Sequence, residues 1–308
     1  MAEDYPRTLA ELEHRFSSED ACRQYLAALR WPEGVSCPRC GGKTGWTMTR
    51  SLWLCASCRH QASVTAGTIF QDSRLPLTLW FRAMWHVVSQ KNGVSALGLQ
   101  RVLGLRSYKT AWLLVHKLRR AMVRPDRDRL RGTVEVDETY WGGEEKGVIG
   151  RLTHTKALIL VAAEQDGRGV GRIRMRRLPD LTKASLHGFI NRAVAPGSTV
   201  ITDGLNAYRG LAGYAHAPAV QRRQAPGAYL LPRVHRVVSL LKRWLTGTHQ
   251  GAVAPAHLDD YLDEFTFRFN RRKSASRGKL FYRLAEYAVQ VQPAPYTAVV
   301  RPRELGAG

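Results

Sequence analysis

Residues Gly132–Gly143 read GTVEVDETYWGG. Val134, Val136 and the β-branched Thr133 alternate with acids, and a Gly-Gly pair closes the run, which is the pattern of a β-strand. Alternate side chains of a strand share a face. Asp137 is read on the side of Thr139, with Glu135 on the opposite one. An acid flanked by valines in mid-strand is costly to bury unless something positive sits against it, either a metal ion or a cationic side chain. An edge strand with one solvated acidic face would produce the same letters. A second stretch weighs against that: in Ser198–Gly204 (STVITDG) a short apolar strand ends in Asp203. One carboxylate inside a strand and another at the tip of a second can meet in a sheet as metal ligands. Asp137 and Asp203 are the candidate pair.

Composition bounds the rest. A chain of 308 residues holds one sizeable core and a smaller module or two. Its 47 lysines and arginines against 25 acids give a formal charge of +22, which favours a polyanionic partner. Nucleic acid comes before membrane, because no stretch approaches the roughly 18 apolar residues of a span. The opening residues are acidic and helical in pattern, unlike a signal peptide. Five cysteines without secretion point to metal or free thiols, and the expected place of work is the cytosol.

The first module is expected over residues 1–70. Residues 7–30 have helical spacing, with Cys22 as a buried apolar position. CPRC (Cys37, Cys40) and CASC (Cys55, Cys58) follow, fourteen residues apart. The glycines and alternating β-formers between them suit two knuckles joined by a hairpin. Four thiolates in a tetrahedron are the arrangement of structural zinc, and His60 is read as surface. A helical module is expected over 71–130. LTLWFRAMWHVV has core-facing spacing. NGVSALGLQRVLGLRSYKTAWLLVHKLRRAM then reads as a helix, a break at Gly104 and a second helix. That is a helix-turn-helix pattern, with Ser107, Tyr108 and Lys109 opening the recognition helix and Lys117 further along it. A plain αα-hairpin with a solvated basic face would look alike, but the neighbouring ribbon and the net charge favour DNA binding.

Residues 131–290 alternate strand and helix. KALILVAAEQ reads as a strand covered on both faces. GVGRIRMRRL alternates and puts Arg172, Arg174 and Arg176 on one face. A helix, the STVITDG strand and helices at RVHRVVSLLKRWLTGTH and HLDDYLDEFTFRFNRR follow. Three strands, helix, strand, helix is the order of an RNase H-like fold, so the expected class is multidomain α+β. Residues 291–308 are Pro-rich and expected to be irregular. Two-metal phosphoryl chemistry usually needs at least three ligands, yet no Asp or Glu lies between Asp203 and Asp259. Either Asp259, Asp263 or Glu264 serves, or His235 replaces the carboxylate. Lys242, seven residues beyond His235, shares its helix face.

CPRC…CASCRHQASVTAGTIF, NGVSALGLQRVLGLRSYKTAW, VEVDETYWGG, ITDGLNAY and LLKRWLTGTHQGAV…HLDDYLDEFTFRFNRR together resemble bacterial insertion-sequence transposases that join a zinc ribbon to a DDE-type domain. The resemblance covers roughly residues 20–290. It implies an RNase H-like core that cuts the element's ends and joins them to target DNA with two magnesium or manganese ions. The family's aspartates fall on Asp137 and Asp203, its helix lysine on Lys242, and its third position on His235. Arg243 would join the DNA contacts, and the arginine strand would add sequence-blind affinity. The partners implied are transposon ends and target DNA, with a homo-oligomer on the DNA and a nucleoid location. A zinc-ribbon regulator without catalysis and an RNase H-like structure-specific nuclease are the competing readings.

Overall fold

The computed structural model describes residues 3–48, 51–124, 127–143, 145, 155–219 and 230–301. Two compact units emerge, one from Met1–Pro125 and Lys273–Val300, the other chiefly from Asp126–Arg272.

In the first unit the helical stretch expected over 7–30 is two helices, α1 (Leu9–Arg15) and α2 (Glu19–Arg30). The break has a local cause: Ser18 adopts an extended conformation and its hydroxyl accepts from Ala21 N at 3.2 Å, starting α2 afresh. Cys22 is fully buried. β1 (Gly45–Thr47), β2 (Trp53–Cys55) and β3 (Gln61–Ala62) form an antiparallel sheet. Then come α3 (Leu77–Ser89), α4 (Ala96–Leu103) and α5 (Tyr108–Ala121). Gly104, at φ +64°, ends α4 in the left-handed conformation that glycine adopts without a Cβ penalty.

The second unit holds β4 (Thr133–Trp141), β5 (Ala157–Asp166), β6 (Gly169–Leu178), α6 (Lys183–Ala193), β7 (Thr199–Thr202), β8 (Ala215–Pro218), α7 (Pro232–His249) and α8 (Leu258–Asn270). The sheet order is β6-β5-β4-β7-β8. β4, β5 and β6 are antiparallel neighbours, while β7 and β8 run parallel to β4. This is the RNase H-like arrangement. β5 is apolar from Ala157 to Ala163, where both its faces are covered. Ile159, Val161 and Ala163 pack toward α7 and α8, while Leu158, Leu160 and Ala162 pack toward α6 with Val134, Val136 and Val200.

That layering corrects one expectation. Glu135 and Asp137 do not point to opposite faces. Both meet α7, since residues two apart in a pleated strand must share a side.

α9 (Arg277–Ala288) and α10 (Tyr296–Val300) return to the first unit. Phe281 of α9 enters an aromatic cluster with Phe81 (ring centroids 5.5 Å apart), and Phe81 lies 4.7 Å from Phe16. The sheet unit therefore ends near residue 272, not 290. The tail expected to be irregular from 291 contains the five-residue α10, and 302–308 lie outside the described residues.

Candidate active site

The parallel pairing of β4 with β7 matches Thr133 to Thr199, Val134 to Val200 and Glu135 to Ile201. That pairing stops there; counted on two residues, Asp137 corresponds to Asp203, which lies one residue past the end of β7. Gly204 follows at φ +87°, and Asp203 Oδ1 accepts from Leu205 N at 3.0 Å, which fixes the carboxylate at the strand tip. The sequence reading missed a third acid, Glu138. Carboxylate oxygens of Asp137, Glu138 and Asp203 all lie within 4.8 Å of one another. The β4–β7 pairing has ended at Glu135, so side chains from both faces of β4 can meet around the strand's edge. Tyr208, buried, donates toward Glu138 Oε2 at 3.4 Å. An acid directly after the strand aspartate was the signal available for Glu138.

Crowding leaves its mark on Asp137. Burial first, then repulsion from Glu138 and Asp203, raise its pKa from the usual 3.8 to about 6, against an opposing hydrogen bond from Glu138 N and attraction from His235. Three carboxylates drawn together at such cost are a donor set that a hard divalent cation fits. His235, on α7, brings Nε2 to 3.3 Å from Asp137 Oδ2 and is half exposed. Two of the three competing acids, Asp259 and Glu264, are engaged elsewhere. Asp259 accepts from Arg177 N at 3.1 Å and lies 3.3 Å from its Nε, while the fully buried Glu264 lies 3.5 Å from Arg268.

At the ribbon, Cys37 and Cys58 sulfurs are 3.5 Å apart and those of Cys40 and Cys55 3.6 Å, near the roughly 3.8 Å edge of a zinc–thiolate tetrahedron. The four are mutually within 4.8 Å. The two knuckles repeat one backbone pattern. Cys37 N donates to Gly42 O and Gly41 N to Cys37 O; Cys55 N donates to His60 O and Arg59 N to Cys55 O. Gly41 and Arg59 both take positive φ. Amides of Cys58 and Ser57 aimed at the Cys55 sulfur hold its pKa down, at about 6, while, against the Gly42 amide, the neighbouring sulfurs of Cys58, Cys55 and Cys37 push Cys40 up, to about 12, so without metal the four thiols share few charges. The donor set is that of structural zinc.

Residues 129–270 match the family described as ISXO2-like transposase domain, and residues 17–61 match the transposase zinc-ribbon domain. The chain belongs to the insertion-sequence transposases. A relative from Halobacterium salinarum, named "Uncharacterized protein in transposable element ISH50", is 28% identical over 278 residues, covering 82% of this chain and 91% of its own.

The transposase's expected DNA contacts divide into accessible and engaged groups. Ser107 is the N-cap residue of α5, Tyr108 is 51% exposed, and Lys109 is exposed beside them. Lys242 and Arg243 are exposed on α7. Lys117, by contrast, is buried; desolvation lowers its pKa against the attraction of Asp72. Arg172 grips Glu164 with both arms, Nε to Oε2 at 2.9 Å and Nη2 to Oε1 at 2.7 Å. Arg174 is buried and donates to the carbonyls of Ile173 and Asp128. Burial, with repulsion from Arg127 and Arg172, lowers its pKa to about 9. Arg176 is half buried. The alternation of β6 put these arginines on one face, as read, but that face is folded against the protein's own carboxylate and carbonyls. Among the described residues no helix is long and apolar enough to cross a membrane.

Proposed function

We propose that this transposase cuts DNA at the terminal repeats of its insertion sequence and joins the freed ends to target DNA, using magnesium or manganese. The observation that supports this most is the gathering of Asp137, Glu138 and Asp203 carboxylate oxygens within 4.8 Å of one another, with His235 Nε2 3.3 Å from Asp137. Asp137 and Asp203 would hold the ions, with Glu138 and His235 completing their coordination. Bound there, a pair of divalent ions supplies an activated oxygen nucleophile and neutralises charge on the leaving oxygen. Asp137 must give up the proton that crowding favours before it can ligate. His235 must be a neutral imidazole, because the protonated ring has no lone pair to offer. Lys242, exposed two turns along α7 on the face of His235, would hold a phosphate beside the scissile bond.

The zinc ribbon and the α4–α5 pair would locate the ends, through Ser107, Tyr108 and Lys109. An element has two ends, so the working assembly is an oligomer on DNA, on the nucleoid. The test is a strand-transfer assay with the element's flanking repeats, a target plasmid and Mn2+. Nicks at the repeat boundary followed by joined products support the reading. Cutting without joining makes the protein a nuclease. End binding with no cutting, unchanged by Asp137→Asn, makes it a regulator.

A further inference from the structure

Glu135 is an acid with no part in the chemistry above. It is 3% exposed in the middle of β4, where a lone carboxylate is strongly disfavoured. Three donors meet it. Its Oε2 accepts from Arg233 N at 2.7 Å and Val234 N at 3.0 Å, and its Oε1 from Arg233 Nη1 at 2.8 Å. Two of these are backbone amides in the first turn of α7. The residue at that helix's N-cap is Leu231, Pro232 opens the helix, and the N-cap residue supplies no side-chain hydrogen bond. The first N–H groups of a helix need acceptors, and the helix dipole favours a negative one. A carboxylate on the central strand thus fills the place of an Asp or Ser N-cap. Arg233 extends the anchor, with Nε to Gly169 O at 3.1 Å and Nη2 to Gly167 O at 3.3 Å, at the β5–β6 turn.

His235 stands two residues after Arg233, as Asp137 stands two after Glu135. The two contacts form neighbouring rungs between one strand face and one helix end. We infer that Glu135 is a positioning residue: by capping α7 from the sheet it holds His235 Nε2 against Asp137. The inference rests on the reading of His235 as an ion ligand. Glu135 is not itself a ligand in this arrangement, since both its oxygens are taken by α7 donors.

The test uses full-length protein with isotope-labelled histidine, His235 being assigned by the signal missing in His235→Ala. In the wild type, diamagnetic Mg2+ should move the His235 Nε2 nitrogen signal, as direct coordination does. Glu135→Gln keeps the shape but gives up the charge. It should still bind Mg2+ through Asp137 and Asp203, and stay folded with a lower melting temperature, because the amide NH2 meets a donor where Glu135 offers an oxygen. Its His235 nitrogen signal should nevertheless stay unmoved at Mg2+ levels that shift the wild-type one. Cleavage should fall about 10- to 100-fold, as for other groups that orient metal ligands. In the double variant with His235→Ala, cleavage should be no lower than in His235→Ala alone, because one acts through the other. Additive losses, or a His235 signal shifted as in wild type, would assign Glu135 to stability only and overturn the inference. A wild-type His235 signal unmoved by Mg2+ overturns the ligand reading as well, and is told apart because it fails before any mutation. If Glu135→Gln does not fold, Glu135→Asp carries the same cycle, since it keeps the charge but draws the carboxylate back from the α7 amides.

Discussion

Replacing Asp137 with asparagine should stabilise the metal-free protein while removing its chemistry. The carboxyl is mostly buried, its side chain 15% exposed, and its pKa is raised from 3.8 to about 6 by burial and by Glu138 and Asp203. A raised acid favours the protonated form in the folded state, so ionisation works against folding. The cost is absent below pH 3.8, grows as pH rises toward 6, and is constant above. At about 1.36 kcal/mol per pH unit, the full cost at pH 7.5 is about 3 kcal/mol, falling to about 1 kcal/mol at pH 4.5. Asparagine cannot ionise, so urea melts of the zinc-loaded protein without added Mg2+ or Mn2+ should show Asp137→Asn more stable by up to about 3 kcal/mol at pH 7.5, with the gain shrinking as pH drops. Mn2+ should reverse the order: at 100 times its Kd it adds about 2.7 kcal/mol to the wild type and little to the variant. A variant less stable than wild type under those conditions at pH 7.5 would refute the claim that three carboxylates are held together against their own repulsion.

Other outcomes follow from the same geometry. Purified protein should carry about one zinc, and Cys37→Ser or Cys58→Ser should release it and unfold the ribbon, as read by metal analysis and limited proteolysis; a metal-free yet protease-resistant ribbon would contradict this. His235→Ala should cost most of the cleavage without changing the melting temperature. Manganese should outperform magnesium in the wild type, with the preference narrowing in His235→Glu, because imidazole is the softer donor; a Glu264→Gln variant that loses cleavage while His235→Ala keeps it would move the ligand to α8. Lys109→Ala should shrink the salt dependence of end binding by about one counterion in a log–log plot, whereas Arg174→Ala should leave that slope unchanged and lower stability instead. Equal slopes for the two variants would restore β6 to the DNA interface.

Strand periodicity and the Cys-x-x-Cys pairs carried much of the fold, because period-2 alternation and ligand spacing are local properties. β6 was legible to the residue from GVGRIRMRRL, and β5 from an apolar run that only a doubly covered strand needs. β8 was not, since AHAP is short, ends in Pro218 and carries no apolar face. Nor was the return of α9: Phe281 packs on Phe81 across two hundred residues of chain, which no local pattern records. At the candidate site, Asp137 and Asp203 could be named from their strands, but their register with Glu138 belongs to the sheet. Alternation likewise shows that Arg172, Arg174 and Arg176 share a face without showing what covers it. A pleat also leaves Glu135 beside Asp137, and its cationic partner, Arg233, lies 98 residues away on a helix whose start Pro232 marked.

Anomalous diffraction at the manganese edge, on crystals soaked in Mn2+, tests the assignment of the three acids most directly. The expected result is a peak bounded by Asp137 and Asp203, with Glu138 or His235 in its coordination sphere, and no such peak in Asp203→Asn crystals. Manganese seated instead at Asp259 or Glu264, with the Asp137–Asp203 pair empty at saturating Mn2+, would contradict it.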